Sequence, residues 1–178
     1  MRIFKHYYFM LVPLFFICVF VFLKWEGYRI NLTPSYPIGI YRQIIGDLAI
    51  GDYVSACPVP SAYVYHARTQ GYLKYGTCPG AYTPLLKKVM AMAGDEVKRT
   101  QSGFLKINNR ILANSKHNTL DPTGYVMPLP PVGIVPAQHV WLMSDYNPAS
   151  IDSRYLGAFK TESVLSKLEP VWVQKNEH

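Results

Sequence analysis

The sequence predicts a mostly β fold, an irregular antiparallel sheet preceded by one N-terminal helix. Three observations support this prediction. The chain of 178 residues contains 14 Tyr and only 16% charged residues, and aromatic residues favour strands. After the N-terminal helix, the apolar runs are short and are separated by turn residues, and the chain contains 12 Gly and 14 Pro. This pattern is typical of short strands. Hydrophobic residues make up 49% of the chain, which excludes a disordered polymer.

The net charge of +7 raises the question of a nucleic-acid partner. The 18 Lys and Arg residues are spread over the whole chain, without helix-turn-helix or zinc-finger spacing. We therefore interpret the charge as solvated surface that suits an anionic membrane, and we expect no nucleic acid. No metal and no cofactor are expected either, because neither metal-ligand spacing nor a glycine-rich phosphate loop occurs.

The first element is an apolar run over residues 7–23 that contains no charge. Its length lies within the roughly 17–25 residues of a membrane-spanning helix. The alternatives are a buried core helix and a cleavable signal peptide, although no small-residue cleavage site follows the run. We expect an uncleaved anchor over residues 1–24 and one exported domain beyond it, over residues 25–178. Arg2 and Lys5 favour a cytoplasmic amino terminus and an exported domain.

The next elements follow in chain order. Residues 31–42 are rich in Pro, Gly and Ser and predict a loop that leads into a strand. Residues 52–57 predict a strand, and residues 61–73, whose apolar positions do not alternate, predict a short helix. Residues 85–92 predict a further strand, which ends at the turn signal of residues 93–95.

The second half of the chain continues this pattern. Residues 104–112 predict a β-hairpin whose turn is Asn108-Asn109. Residues 140–143 and 171–173 predict the remaining strands. Short strands joined by Gly and Pro turns indicate an antiparallel domain, and no internal repeat is present.

Cys57 and Cys78 form the one cysteine pair outside the apolar run, since Cys18 lies within it. In an oxidising periplasm they would form a disulfide. Two separate buried thiols are the alternative. No C-x-x-C motif occurs, so the sequence contains neither redox nor zinc spacing.

Three segments carry reactive side chains. Ser35 lies in the Pro-rich loop, where an ordinary loop serine is the simplest interpretation. Lys87 and Lys88 lie in the apolar strand 85–92, and adjacent strand residues point to opposite faces, so one lysine is expected to face the interior. A twisted edge strand with both lysines solvated is the alternative. A desolvated lysine has a lowered pKa and can act as a general base near neutral pH.

The third segment, residues 144–157, predicts a polar loop that enters a strand, in which Asp152 and Arg154 can pair. In this order the three segments resemble the boxes of the type I signal peptidases, bacterial membrane proteases with a serine–lysine dyad. The match is closest to the TraF branch, the peptidases of plasmid conjugative transfer. That branch is short, has one anchor, has Cys-Pro before Leu-Leu-Lys and ends in Pro-Val-Trp, here residues 170–172.

The resemblance implies a signal-peptidase-like catalytic domain in which Ser35 is the nucleophile and Lys87 the general base. Lys88 is expected to face the other way and to be solvated or structural. The five histidines form no recognisable triad. One departure follows the nucleophile, where Tyr36 replaces the Met that is usual in leader peptidases.

The resemblance also implies supporting roles. Ser150 would form a hydrogen bond with Lys87 and orient it. Asp152 and Arg154 would form an ion pair that fixes the loop. Thr33 would add a hydroxyl to an oxyanion hole built on the backbone N–H of the nucleophile, or would only stabilise the turn.

The resemblance implies a pilin precursor as the substrate, processed in the periplasm through an acyl-enzyme and in some systems cyclised. Other mating-channel proteins are expected as further partners. A general type I signal peptidase that removes export leaders is the alternative enzyme. A non-catalytic, anchored pilus-assembly component is the alternative outside the enzymes, and the dyad discriminates against it because a scaffold needs no lysine in an apolar strand.

Overall fold

The computed structural model describes residues 3–174, without the side chains of residues 3–8 and 10. Arg2, the Lys5 side chain and residues 175–178 lie outside the described residues. The charge asymmetry expected around the N-terminal run therefore stays a prediction.

The first element is helix α1, Ile3–Trp25. The side chains of residues 11–25 are all exposed. The helix ends just before Gly27, whose φ of 84° belongs to the left-handed region that terminates many helices. Among the described residues, no helix meets the length and apolarity needed to cross a membrane, so the expected membrane-spanning helix is not confirmed.

The domain beyond α1 is built from antiparallel strands. The structure describes eleven: β1 (Tyr28–Asn31), β2 (Gly39–Ile44), β3 (Tyr53–Ala56), β4 (Tyr75–Cys78), β5 (Leu85–Met92), β6 (Val97–Arg99), β7 (Leu105–Ile107), β8 (Arg110–Ile111), β9 (His139–Met143), β10 (Phe159–Lys160) and β11 (Val164–Val173). The mostly β, antiparallel prediction is confirmed.

Seven strands form the large sheet, in the order β1-β2-β11-β3-β5-β9-β10. The last strand, predicted over residues 171–173, is much longer, because β11 pairs with β2 on one side and β3 on the other. The close approach of β2 and β11 explains Gly39: a Cβ there would lie 2.2 Å from the Trp172 carbonyl oxygen. The other sheet contains β6, β7 and β8. Its predicted hairpin is confirmed, and Asn108 and Asn109 both have positive φ.

Two short helices lie against the large sheet. The predicted helix is α2, Ala62–Thr69, and the Ser61 side chain caps it by accepting a hydrogen bond from Val64 N. The predicted disulfide between Cys57 and Cys78 is confirmed, and it encloses α2 in its loop. The segment predicted as a loop contains a second helix, α3, Ser153–Leu156, capped by Asp152.

The core packs on both faces of β5, the strand that carries the two lysines. Leu85 and Val89 belong to the cluster beneath α2, whereas Leu86 packs with Tyr36 and Tyr41 in another cluster. Side chains alternate between the faces of a strand. The two lysines therefore project to opposite sides, as the sequence predicts, and the alternative of two solvated lysines is wrong.

Candidate active site

The loop between β1 and β2 carries Ser35. Its backbone is held by side chains from the distant segment that follows β9. Ser144 Oγ donates to the Ser35 carbonyl oxygen, and Asn147 Nδ2 donates to the Pro34 carbonyl oxygen at 3.0 Å. Ser35 itself is half-buried. The loop therefore presents its hydroxyl from a backbone fixed on both sides of the serine.

A buried amide fixes the same loop from within. Asn31 Nδ2 donates to the carbonyl oxygens of Thr33, Tyr36 and Pro37 at 3.0–3.2 Å. Its Oδ1 accepts from the backbone N–H and the hydroxyl of Thr33, at 3.0 and 2.7 Å. The Thr33 hydroxyl is thus engaged in the turn, as in the turn-stabilising alternative for this residue.

Lys87 meets Ser35 from the centre of the large sheet. Its side chain is 1% exposed, and Nζ lies 2.9 Å from Ser35 Oγ. Burial lowers the pKa of Lys87 from its ordinary value of 10.5 to about 8, with Asp152 acting against this and Arg154 adding to it. A substantial fraction of the amine is therefore neutral in mildly alkaline solution.

Ser150 lies on the other side of the serine hydroxyl. Its Oγ is 3.2 Å from Ser35 Oγ, and the residue is 4% exposed. The expected hydrogen bond from Ser150 to Lys87 is not formed. The reason is geometric: the Ser35 hydroxyl lies between the two side chains and is the partner of both. Ser150 is therefore placed to orient the hydroxyl of Ser35 and not the amine.

Asp152 and Arg154 form the expected ion pair, and both are 0% exposed. The guanidinium donates to the two carboxylate oxygens at 2.8 Å. Its remaining N–H groups donate to the carbonyl oxygens of Asn114, Asn147, Pro148 and Ser150. Burial alone would lower the pKa of Arg154, but its bonds and its attraction to Asp152 raise it above the ordinary value. All five guanidinium donors have acceptors, the condition for burying such a charge.

Lys88 is structural, as one of the two expectations for it states. Its Nζ lies 2.9 Å from Asp145 Oδ2. The same carboxylate lies 2.9 Å from the hydroxyl of Tyr36. Sequence reasoning assigned no role to Asp145, Tyr36, Asn31 or Ser144. The pattern Asn-x-Thr ahead of the serine is a usable signal for one of them, since Asn side chains stabilise turns two residues on.

The described part of the chain contains no group of three or more His, Cys, Asp or Glu side chains placed to hold a metal ion. The buried polar groups at Ser35 are instead a hydroxyl pair, an amine and an ion pair. Such an arrangement can move a proton from a serine to a lysine, which is the activation that a serine nucleophile requires.

The sequence also matches known proteins. The family model described as signal peptidase, peptidase S26, matches residues 1–173. A conjugal transfer protein TraF of Agrobacterium tumefaciens (strain 15955) is 39% identical over 148 residues, which cover 82% of each chain. A plasmid transfer protein TraF of Escherichia coli is 34% identical over 149 residues, again 82% of each chain.

Among solved structures, a signal peptidase I from Enterococcus faecalis V583 aligns with a TM-score of 0.43 and 20% identity, over 71% of this chain and 100% of that one. The predicted similarity to signal peptidases and to TraF proteins is confirmed by the family match and the identities. The chain belongs to the peptidase S26 family of signal peptidases.

Proposed function

We propose that this protein is a membrane-anchored serine endopeptidase that processes a pilin precursor in plasmid conjugative transfer. The observation that carries the proposal is the 2.9 Å contact between Lys87 Nζ and Ser35 Oγ, in a chain of the peptidase S26 family. The names of the TraF relatives support a role in conjugation.

The chemistry begins with neutral Lys87, which accepts the proton of the Ser35 hydroxyl while Oγ attacks the scissile carbonyl carbon. The resulting ammonium returns that proton to the leaving amine as the C–N bond breaks, and an ester on Ser35 remains. The backbone N–H of Ser35 is the proposed oxyanion donor, and one such donor is worth about 3–4 kcal/mol of the barrier. The Thr33 hydroxyl would have to leave Asn31 to add a second.

The ester has two fates. Water that attacks it, deprotonated by Lys87, releases a trimmed chain. The amino group of the same pilin chain, attacking in place of water, forms an amide bond as the ester C–O bond breaks. Lys87 takes a proton from the amine and returns it to Ser35 Oγ, and the product is cyclic. Ser150 orients the nucleophile, and Asp152 with Arg154 fixes the loop on which Ser150 lies.

The proposed location is the inner membrane, with residues 1–24 as the anchor and residues 25–178 as a periplasmic domain. The 23-residue α1, whose described apolar side chains are exposed, supports an anchor. The disulfide supports an oxidising compartment.

The decisive experiment compares alanine variants of the dyad with matched controls. Ser35→Ala and Lys87→Ala should each abolish cleavage of the purified pilin precursor, while Ser102→Ala and Lys116→Ala, at exposed positions, should cleave at the wild-type rate. Far-UV circular dichroism checks that the variants fold. Cleavage at a near wild-type rate by either dyad variant would overturn the dyad as the catalytic site, and absence of cleavage by the folded wild type would favour the non-catalytic alternative.

A second substrate distinguishes the two peptidase candidates. The same assay with an exported protein that carries an ordinary cleavable leader should give little product. Equal cleavage of both substrates would support the general signal peptidase, the description that the family model carries.

A further inference from the structure

Tyr36 directly follows Ser35 and has a buried hydroxyl that the chemistry above does not use. The residue is 2% exposed. Its hydroxyl lies 2.9 Å from Asp145 Oδ1 and 3.0 Å from the Met143 carbonyl oxygen. Burial and then the charge of Asp145 raise the pKa of Tyr36 far above its ordinary value. The phenol therefore stays a hydrogen-bond donor throughout the pH range in which Lys87 titrates.

The carboxylate that accepts this bond is shared with the strand of the base. Lys88 Nζ donates to both oxygens of Asp145, at 2.9 and 3.1 Å. The ammonium also lies 5.5 Å from the ring centre of Tyr36. The residue after the nucleophile and the residue after the base thus bind one carboxylate.

Two links therefore connect the adjacent residues Ser35 and Tyr36 with the adjacent residues Lys87 and Lys88. One is the direct contact of Ser35 with Lys87, and the other runs from Tyr36 through Asp145 to Lys88. The first link must loosen during each turnover, because Ser35 Oγ leaves the amine to bond the substrate. The second involves no reacting atom and persists. Misplacement of a nucleophile by about 1 Å can cost about a hundredfold in rate.

We propose that Tyr36 is a positioning residue, which holds Ser35 at a fixed position relative to Lys87 by binding the carboxylate that Lys88 also binds. The inference rests on the proposed peptidase function and adds to it a residue outside the dyad. Among the described residues, neither Asn31 nor Ser144, which also hold the serine loop, forms a side-chain hydrogen bond with the strand of the base, so Tyr36 supplies a polar connection that those residues do not.

The test is Tyr36→Phe, which keeps the ring and removes only the donor. With a peptide that spans the pilin cleavage site, kcat should fall about three- to tenfold, the effect of one hydrogen bond, at unchanged KM. The ascending limb of kcat/KM against pH should move to higher pH, because a looser loop admits water to Lys87 and weakens the burial that lowers its pKa. The matched control is Tyr63→Phe, since that buried hydroxyl has no hydrogen-bond partner among the described residues; it should behave as wild type.

One further variant keeps the proposal falsifiable if Tyr36→Phe folds poorly, and a double variant tests the shared carboxylate if Tyr36→Phe folds well. Asp145→Asn keeps the side-chain shape and weakens the bonds of this residue to Tyr36 and to Lys88, so it should show the same kcat loss and pH shift. Lys88→Met combined with Tyr36→Phe should lose less than the product of the single effects, because the two share one carboxylate.

The inference would be overturned if a folded Tyr36→Phe variant had the wild-type kcat and KM and the same ascending limb of kcat/KM against pH. A loss of thermal stability with unchanged kinetics, or fully multiplicative effects with Lys88→Met, would also overturn it. Ser35→Ala in the same assay separates this inference from the function on which it rests. Its activity would overturn Ser35 as the nucleophile, whereas an inactive Ser35→Ala beside a normal Tyr36→Phe would overturn the positioning role alone.

Discussion

Burial destabilises the charged form of Lys87, and the neighbouring groups compensate this effect only in part. Among the described residues, its one hydrogen-bond partner is Ser35. Asp152 favours the charged form and Arg154 disfavours it, and because these two are paired with each other at 2.8 Å, their effects largely oppose one another. Burial therefore dominates, and it gives an amine that can be neutral near pH 8 without a histidine beside it.

Activity should consequently rise with pH. With a Lys87 pKa of about 8, kcat/KM should increase about tenfold per pH unit below pH 8 and level off above it, because only the neutral amine accepts the serine proton. At pH 6 we expect about one-hundredth of the plateau value. The measurement is the initial rate with the pilin-derived peptide across the pH range.

Lys116→Ala should keep the same limb, and Lys87→Arg should be inactive at every pH because a guanidinium does not deprotonate. A flat profile would contradict a lysine base. The free energy of unfolding should also rise with pH, because the folded state binds fewer protons than the unfolded chain between pH 8 and 10.5. The penalty on folding is therefore complete below this window and fades as pH rises through it.

At this scale the sequence identifies the chemical groups but not their geometry. Ser35 and Lys87 could be proposed from the sequence because the residues and the order of their segments resemble a known family. The contacts of Ser150 and Tyr36 were not, since they join residues 115 and 109 positions apart. Such distances are fixed only when the whole sheet has formed.

Among the elements, α2 depends most on a covalent link. The disulfide closes a loop with a sequence separation of 21 residues, and this loop contains α2 and β4. The helix has only eight residues, fewer than an isolated helix needs in water. It is held by its Ser61 cap, by the packing of Val64 and Ala67 in the core, and by the loop itself.

Removing the disulfide should therefore lower stability. For a loop of this length the double variant Cys57→Ser and Cys78→Ser should lose about 3 kcal/mol and unfold about 10 °C lower, as measured by thermal denaturation. Reductant should lower the melting temperature of the wild type and leave that of the double variant unchanged. Alkylation of both wild-type cysteines without reductant would contradict the presence of the bond in the exported protein.

Elements with a local signal were predicted, and those that depend on distant partners were not. Strand β5, helix α2 and the hairpin turn at Asn108 follow from apolar runs, capping and turn residues. By contrast, α3 has four residues and exists because Asp152 caps it while Arg154 binds distant carbonyl groups. The first half of β11 mixes polar and apolar residues, of which only Leu168 is buried, and pairing on both sides makes it a strand.

For the whole molecule, the proposed anchor gives a direct prediction. The full-length protein should fractionate with inner membranes and resist extraction by high salt, and a variant without residues 1–25 should appear in the soluble fraction. The described apolar side chains of α1 are exposed, so in water they lack the burial that stabilises such residues. A control with Trp25→Ala, which leaves the apolar run intact, should stay in the membrane fraction. Recovery of the full-length protein in the soluble fraction would contradict an anchor.

The position of β11 has a consequence for the timing of activity. This strand is the last described one in sequence order, yet it lies between β2 and β3 in the large sheet. It thereby joins the half that carries Ser35 to the half that carries Lys87. A chain still being synthesised already contains both residues but lacks the strand whose backbone pairs with both β2 and β3, and distant strand pairings of this kind form late. For the proposed peptidase we therefore expect activity to require residues 164–173, so that a nascent chain that ends before β11 should not cleave its substrate.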